Sequence, residues 1–296
     1  MGTCIVSIGL SLEHEPTLSD LLLGPGIALW VSLSAIFLAR LAWQRPRWLE
    51  EARSPGSLTA AAGTAVLGAR LTLLGEGWVG YFLLALALCF WLGVIHPVHA
   101  GWVTPTVGIS FVVTVATESL AVLGALLATE RNVAWLAWAA LGPLALGLVV
   151  YLYAFARIDL RQLLVGRGDQ WIFGGALAIA TLACAYTTEA LATTSAFASL
   201  HGGLQDATLA LWSAAACWLP ALLAGELVRL RPDYDVLRWS TVFPLGMYAV
   251  SSIAAGSVTG VAGLASFGRV WIWLALAVWA AAFAGMLRRG LRLLRS

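Results

Sequence analysis

Lysine is absent from this chain; all 17 basic residues are arginine. Charge of either sign is scarce, at 11% of 296 residues, against ~25% in ordinary globular chains. So few charged groups cannot cover the surface of a soluble globule of this length. No charged segment precedes the first apolar run, so no cleavable signal peptide is expected. The four cysteines, Cys4, Cys89, Cys184 and Cys217, lie far apart in apolar stretches. Without a CxxC or a clustered pair they predict neither a disulfide framework nor a metal centre. His96 and His99 stand three apart at the edge of an apolar run, with no Cys, Asp or Glu nearby to complete a ligand set. Neither a Walker sequence nor a nucleophile elbow occurs, which leaves an ATP-driven pump or a hydrolase without residues to support it. A net charge of +2, with the arginines in short loops, sets nucleic-acid binding aside. No cofactor and no enzymatic step are expected.

What the chain has in abundance is apolar sequence: 60% hydrophobic residues and a mean hydropathy of +0.88. This predicts an all-α polytopic membrane protein. Ten apolar runs are separated by charged or Gly/Pro punctuation: 1–12, 21–43, 57–74, 78–95, 102–128, 133–156, 171–193, 204–227, 239–258 and 270–287. Nine are long enough to cross a hydrocarbon core of about 30 Å, whereas the first, as a helix, reaches only ~18 Å. Residues 1–287 are therefore expected to form one transmembrane domain with its first helix truncated, and 288–296 a short basic tail. Either an upstream in-frame extension completes the first span, or one wall is incomplete and the chain as given folds weakly.

Arginine placement supplies an orientation. Arg40, Arg45, Arg47 and Arg53, then Arg157, Arg161 and Arg167, then Arg229, Arg231 and Arg238, and finally Arg288, Arg289, Arg292 and Arg295 fall on one side of a ten-span topology. Only Arg131 and Arg269 fall on the other, and Arg70 is inside a span. By the positive-inside rule the arginine-rich side and the C-terminus are cytoplasmic, in a plasma membrane.

The odd-numbered runs share small residues, as in Ala61-Ala62-Gly63-Thr64-Ala65, Val115-Ala116-Thr117-Glu118-Ser119 and Gly174-Gly175-Ala176, while the even-numbered runs contain or adjoin Trp30, Trp91, Trp138, Trp212 and Trp279. Small residues let helices approach closely or leave room for a lumen, and Trp suits a lipid-facing wall. Read as a repeat, the pattern implies five helical hairpins with the odd helices innermost; read plainly, small residues are simply frequent here.

Ionisable residues inside spans are expensive and mark candidate sites. Glu118 lies near the middle of the fifth span, where it is either a proton carrier or a structural hydrogen-bonding group. Arg70 and Glu189 lie toward span ends and can snorkel. Pro105 and Pro244, in the fifth and ninth runs, are placed to shape a pore; Pro143 and Pro220 read as packing kinks.

Several pieces resemble one family. Trp239-Ser240-Thr241-Val242-Phe243-Pro244-Leu245-Gly246 is similar to the Trp…Phe-Pro-Leu-Gly signature of the tellurite-resistance/dicarboxylate transporter family, which includes the plant slow-type anion channels. Gly101-Trp102-Val103-Thr104-Pro105 with residues 115–121 resembles the family's fifth helix, residues 169–176 its seventh, and Met1–Ser7 its first, with Cys4 where glycine is usual. The resemblance implies about ten helices as five hairpins around a quasi-fivefold central pore, in a homotrimer. It implies an anion channel or secondary transporter for small anions: monovalent ions, sulfite, tellurite-related anions or dicarboxylates such as malate. Phe243 maps to the occluding gate, with Phe111 and Phe173 as secondary plugs and Pro105, Gly175, Pro244 and Gly246 as pore-lining candidates. Glu118 and Arg70 are the candidate coupling residues. The alternatives are a proton-coupled carrier using Glu118 and a non-transporting membrane scaffold.

Overall fold

The structure is a computed structural model and describes residues 1–162, 168–193, 198–228 and 234–295. These fold into α1 (Gly2–Leu12), α2 (Pro16–Trp43), α3 (Arg45–Ala52), α4 (Thr59–Thr72), α5 (Gly77–Ala100), α6 (Val112–Arg131), α7 (Ala134–Phe155), α8 (Trp171–Thr193), α9 (Ala198–Val228), α10 (Trp239–Thr259) and α11 (Ala262–Arg295). Among the described residues there is no strand, only an isolated bridge between Thr106 and Ile158.

Five hairpins pair an inner helix with an outer one: α1 with α2, α4 with α5, α6 with α7, α8 with α9 and α10 with α11. The inner helices pack in a closed circuit, α1 to α4 to α6 to α8 to α10 and back to α1. Burial separates the two layers sharply. The apolar windows of α6 and α8 are wholly buried and that of α10 is 83% buried, whereas the outer helices are 17–33% buried. The expected division into small-residue inner helices and Trp-bearing outer helices is thus the architecture.

Lipid offers no hydrophobic drive between helices, so packing and interhelical hydrogen bonds must hold the circuit together. Each outer helix touches, besides its hairpin partner, the next inner helix of the circuit. Four of these five seams repeat one hydrogen bond. Trp30 Nε1 on α2 donates to Thr64 Oγ1 on α4 at 2.9 Å, and Trp91 Nε1 on α5 to Thr117 Oγ1 on α6 at 2.9 Å. Trp212 Nε1 on α9 donates to Ser252 Oγ on α10 at 2.7 Å, and Trp279 Nε1 on α11 closes the circuit onto Thr3 Oγ1 of α1 at 3.0 Å. Thr64, Thr117 and Ser252 in turn donate to the carbonyl four residues earlier on their own helices. Neither the indole nor the hydroxyl is left unsatisfied in the apolar layer.

Four boundaries differ from expectation. Eight described helices are long and apolar enough to cross a membrane, where nine runs had that length. The third run yields only the 14 residues of α4, because Ser57 and Leu58 belong to a 3-10 turn capped by Ser54, and Gly75, at φ +87°, ends a turn after Thr72. Two inner walls, α1 and α4, are therefore ~17 and ~21 Å long. The fifth run does not begin as a helix. Its first residues form a loop whose Thr106 exchanges backbone hydrogen bonds with Arg157 and Asp159, and a 3-10 turn, Gly108–Phe111, then leads into α6. The charged connection after α2 contains the short helix α3, and the segment expected as a tail continues α11 as far as Arg295.

The repeated bond is testable at the α5–α6 seam. In a cycle of Trp91→Phe and Thr117→Val, equilibrium unfolding in mixed micelles should give a coupling of about 0.5–1.5 kcal/mol. Strictly additive single changes would remove the bond from the account of the fold.

Candidate functional site

The inner circuit converges on its own axis. There it encloses a cavity of about 10 Å³, roughly the space one water molecule needs. Every inner helix contributes to its wall: Ile5 and Ile8 from α1, Ala65, Val66 and Ala69 from α4, Ser119, Val122 and Leu126 from α6, Ile179, Leu182 and Tyr186 from α8, and Met247 from α10. The register repeats. On α1, α4 and α6 the hydroxyl that accepts the Trp hydrogen bond (Thr3, Thr64, Thr117) lies two and five residues before a lining pair (Ile5/Ile8, Val66/Ala69, Ser119/Val122). Ile179 and Leu182 stand in the same relation to Leu177 on α8.

The wall is chemically bare. No charged side chain is part of it. The Ser119 hydroxyl donates to the Val115 carbonyl at 2.7 Å, and Tyr186 Oη is buried without a partner among the described residues. A narrow apolar segment of this kind excludes ions by dewetting.

Phe243 lies four residues before Met247, one turn nearer the start of α10, so the two side chains share a helix face. Its phenyl is 4% exposed. The glycines and the proline of the same motif serve another purpose. A Cβ on Gly175 would stand 2.9 Å from Pro244 Cβ, and one on Gly246 would stand 2.6 Å from Ile5 Cγ2. Gly175, Pro244 and Gly246 thus bring α8, α10 and α1 into close contact, rather than lining open space.

Three of the candidate residues lie away from the axial cavity. Phe111 and Phe173 face the seams between inner and outer helices, in an aromatic cluster with Tyr151 of α7 and Trp218 of α9. The centroid distances are 5.2 Å for Phe111–Tyr151, 6.0 Å for Phe111–Phe173 and 4.8 Å for Phe173–Trp218. Neither lines the axial cavity. Pro105 is exposed in the loop ahead of α6 and does not reach the axis.

Both buried charged residues stand off the axis. Arg70, 1% exposed, gives Nε to Ser7 Oγ at 2.9 Å and Nη2 to Asp20 at 2.9 Å. Ser7 and Ser19 exchange hydroxyl-to-carbonyl bonds beside it, so one arginine fastens α4 to α1 and α2. Glu118 is fully buried on α6 against Gly147 of α7. Glu189, on the last turn but one of α8, is exposed.

The circuit's two ends differ in charge. All inner helices run the same way, so their N-termini and positive dipole ends meet at one mouth, which also carries Arg53, Arg157 and Arg238 in the connecting segments. The opposite mouth has Glu13, Glu76, Glu130 and Glu189, with Arg269 paired to Glu13 and Arg131 to Glu130. The lining residues Ile5, Ile8, Val122, Ile179, Leu182 and Met247 were invisible to a search for polar groups in apolar sequence. For Ile5, Ile8 and Val122 the signal was the fixed offset from Thr3 and Thr117.

Two curated relatives, each called an uncharacterized membrane protein and each from a strain of Mycobacterium tuberculosis, are 34% identical to this chain over 122 residues. The matched segment is 40% of this chain and spans 61% of the length of each relative. No solved structure matches. The sequence profile described as voltage-dependent anion channel matches residues 1–287, a stretch that includes all five inner helices and the whole axial constriction, and the chain belongs to that family.

Proposed function

We propose that this protein passes small anions across the plasma membrane, as a channel or secondary transporter, through the axis of its inner helices, with the arginine-rich mouth and the C-terminus on the cytoplasmic side. The observation that carries this reading is that all five inner helices supply side chains to one axial closure. With neighbouring helix axes roughly 8–10 Å apart, the centre of a five-membered circuit lies roughly 7–8 Å from each axis. Backbones alone leave that centre open, and only side chains shut it. Repacking a few aliphatic groups then suffices to open a path.

Anion preference follows from the ends rather than the middle. Five parallel helix N-termini and the arginines beside them set a positive potential at one mouth, and the wall within carries no fixed charge to bind an ion tightly. Such a path tolerates several small anions, including monovalent ions, sulfite, tellurite-related anions and dicarboxylates, and fits a homotrimer in which each protomer has its own pore. The gate is the apolar constriction together with Phe243, one turn below Met247 on the same face.

The decisive measurement is anion flux in proteoliposomes; a membrane scaffold passes none. Phe243→Ala should raise basal flux severalfold without lowering the yield of protein. Ile179→Ser with Met247→Ser should hydrate the constriction and raise flux about tenfold or more. If Phe243→Ala purifies as a monodisperse species and its flux is no higher than the parent's, the phenyl is filler and the closure is aliphatic alone. If the Ser pair also leaves flux unchanged, the axis is not the path.

A further inference from the structure

The α6–α7 seam contains a cluster of polar groups that takes no part in closing the axis. Glu118 is wholly enclosed, and neither of its carboxyl oxygens has a hydrogen-bond partner among the described residues. Thr114 Oγ1 and Tyr151 Oη are buried in the same condition. Thr114 precedes Glu118 by four residues and shares its face of α6. Across the seam, Glu118 occupies the space that a side chain at Gly147 would need: a Cβ there would run into Glu118 Cγ and stand 2.9 Å from Oε1. Tyr151 is one turn further along α7 on the face of Gly147. Its ring packs on Phe111, three residues before Thr114.

No cation answers that carboxyl. None of the ion pairs among the described residues includes Glu118, and Arg70 is committed to Ser7 and Asp20. Among the described residues no ion pair or hydrogen bond joins it to a side chain of α4, α5 or α8. On α7 the titratable group one turn from Gly147 is Tyr151. Beyond it Tyr248 of α10 gives its own hydroxyl to the Ala215 carbonyl at 2.8 Å. A carboxylate sealed among apolar groups without a counter-charge is far costlier than the neutral acid. Four unpaired polar atoms gathered beside Gly147 also call for a small hydrogen-bonding partner.

We propose that the Glu118–Thr114–Tyr151 cluster is a proton-binding site whose occupancy controls anion passage. One proton converts the Glu118 carboxylate to the acid, and water held by Thr114 and Tyr151 is the donor and acceptor through which it enters and leaves. Ser119, the next residue on α6, lines the axial cavity. Ionisation of Glu118 therefore sets a poorly screened negative charge beside the anion's path. Bound, the proton permits passage; released, it impedes it. The effect on flux rests on the anion-passing reading, whereas the proton site itself does not.

Two readouts keep these apart. Infrared spectroscopy of the full chain in lipid nanodiscs should show a protonated buried carboxylic acid near neutral pH that disappears in Glu118→Gln. Nitrate flux in proteoliposomes should fall at least fivefold from acidic to alkaline pH in the parent and stay flat in Glu118→Gln, while Gly147→Ala, which crowds the carboxyl, shifts the midpoint. The proposal is overturned if no carboxylic-acid band maps to Glu118, if the Gln variant keeps the parent's pH profile, or if sodium at constant pH replaces the proton's effect. Should neither protein pass nitrate at any pH, the channel reading falls and the infrared band alone decides the proton site.

Discussion

Helices in a bilayer gain nothing from excluding water, since lipid chains are as apolar as leucine, and a circuit of five helices needs another reason to close. Here that reason is a hydrogen bond placed so that it can be made only across the right seam. An indole on each of four outer helices reaches the hydroxyl of the next inner helix around the circuit. The last of these, Trp279 to Thr3, joins the final hairpin to the first. Hairpin packing alone would fix pairs of helices and leave their order free. The indole-to-hydroxyl link fixes order, direction and rotation together, because it orients one specific face of each inner helix outward. With Thr3, Thr64 and Thr117 turned to the outer layer, the residues two and five positions later are left toward the centre.

That rotation decides what lies on the axis. The residues left facing inward are Ile, Val, Leu, Ala and Met, with Tyr186 and one serine whose hydroxyl is already spent on its own backbone. Large aromatic residues that a search for plugs would favour are mostly drawn the other way. Phe111 and Phe173 find aromatic partners on α7, α8 and α9, where tilted ring contacts and one edge-to-face contact, Phe173 on Trp218, stabilise them. Phe243 has no aromatic neighbour of this kind among the described residues. It remains on the face that Met247 turns to the cavity, which is why the proposed gate includes it and not the other two.

The hairpin order and the inner and outer layers were legible in the sequence because they depend on signals that a lipid environment makes scarce. Gly75-Glu76-Gly77 can only be a turn, arginines collect on one side, and Trp alternates with small residues from run to run. The facing of each inner helix was not legible from hydropathy, since every face of α6 and α8 is apolar and every face is buried. Pro105 misled for a related reason. An apolar run reads the same whether it enters the membrane as a helix or as a loop, and Thr106, which pins that loop to Arg157 and Asp159, has no distinctive sequence context. The motif around Phe243 told more about assembly than about lining. Gly175 and Gly246 are needed where α10 meets its two neighbours, and the likeness to a pore motif came with the packing it requires.

The two charges buried in the helices are both kept away from the axis, and this separates selectivity from gripping. Arg70 is spent holding α1, α2 and α4 together; Glu118 is turned to α7, beside a glycine that leaves it room. A cation on the axis would hold an anion at the narrowest point and slow its exit, and conduction needs binding weak enough to leave. Helix N-termini gathered at one mouth attract anions without that cost, because their field falls off within a turn. In the proposed mechanism the seam behind the constriction is a place where a charge acts on the path without obstructing it. A group there influences the axis through the field alone, and its protonation state can change that influence while the wall itself stays unaltered.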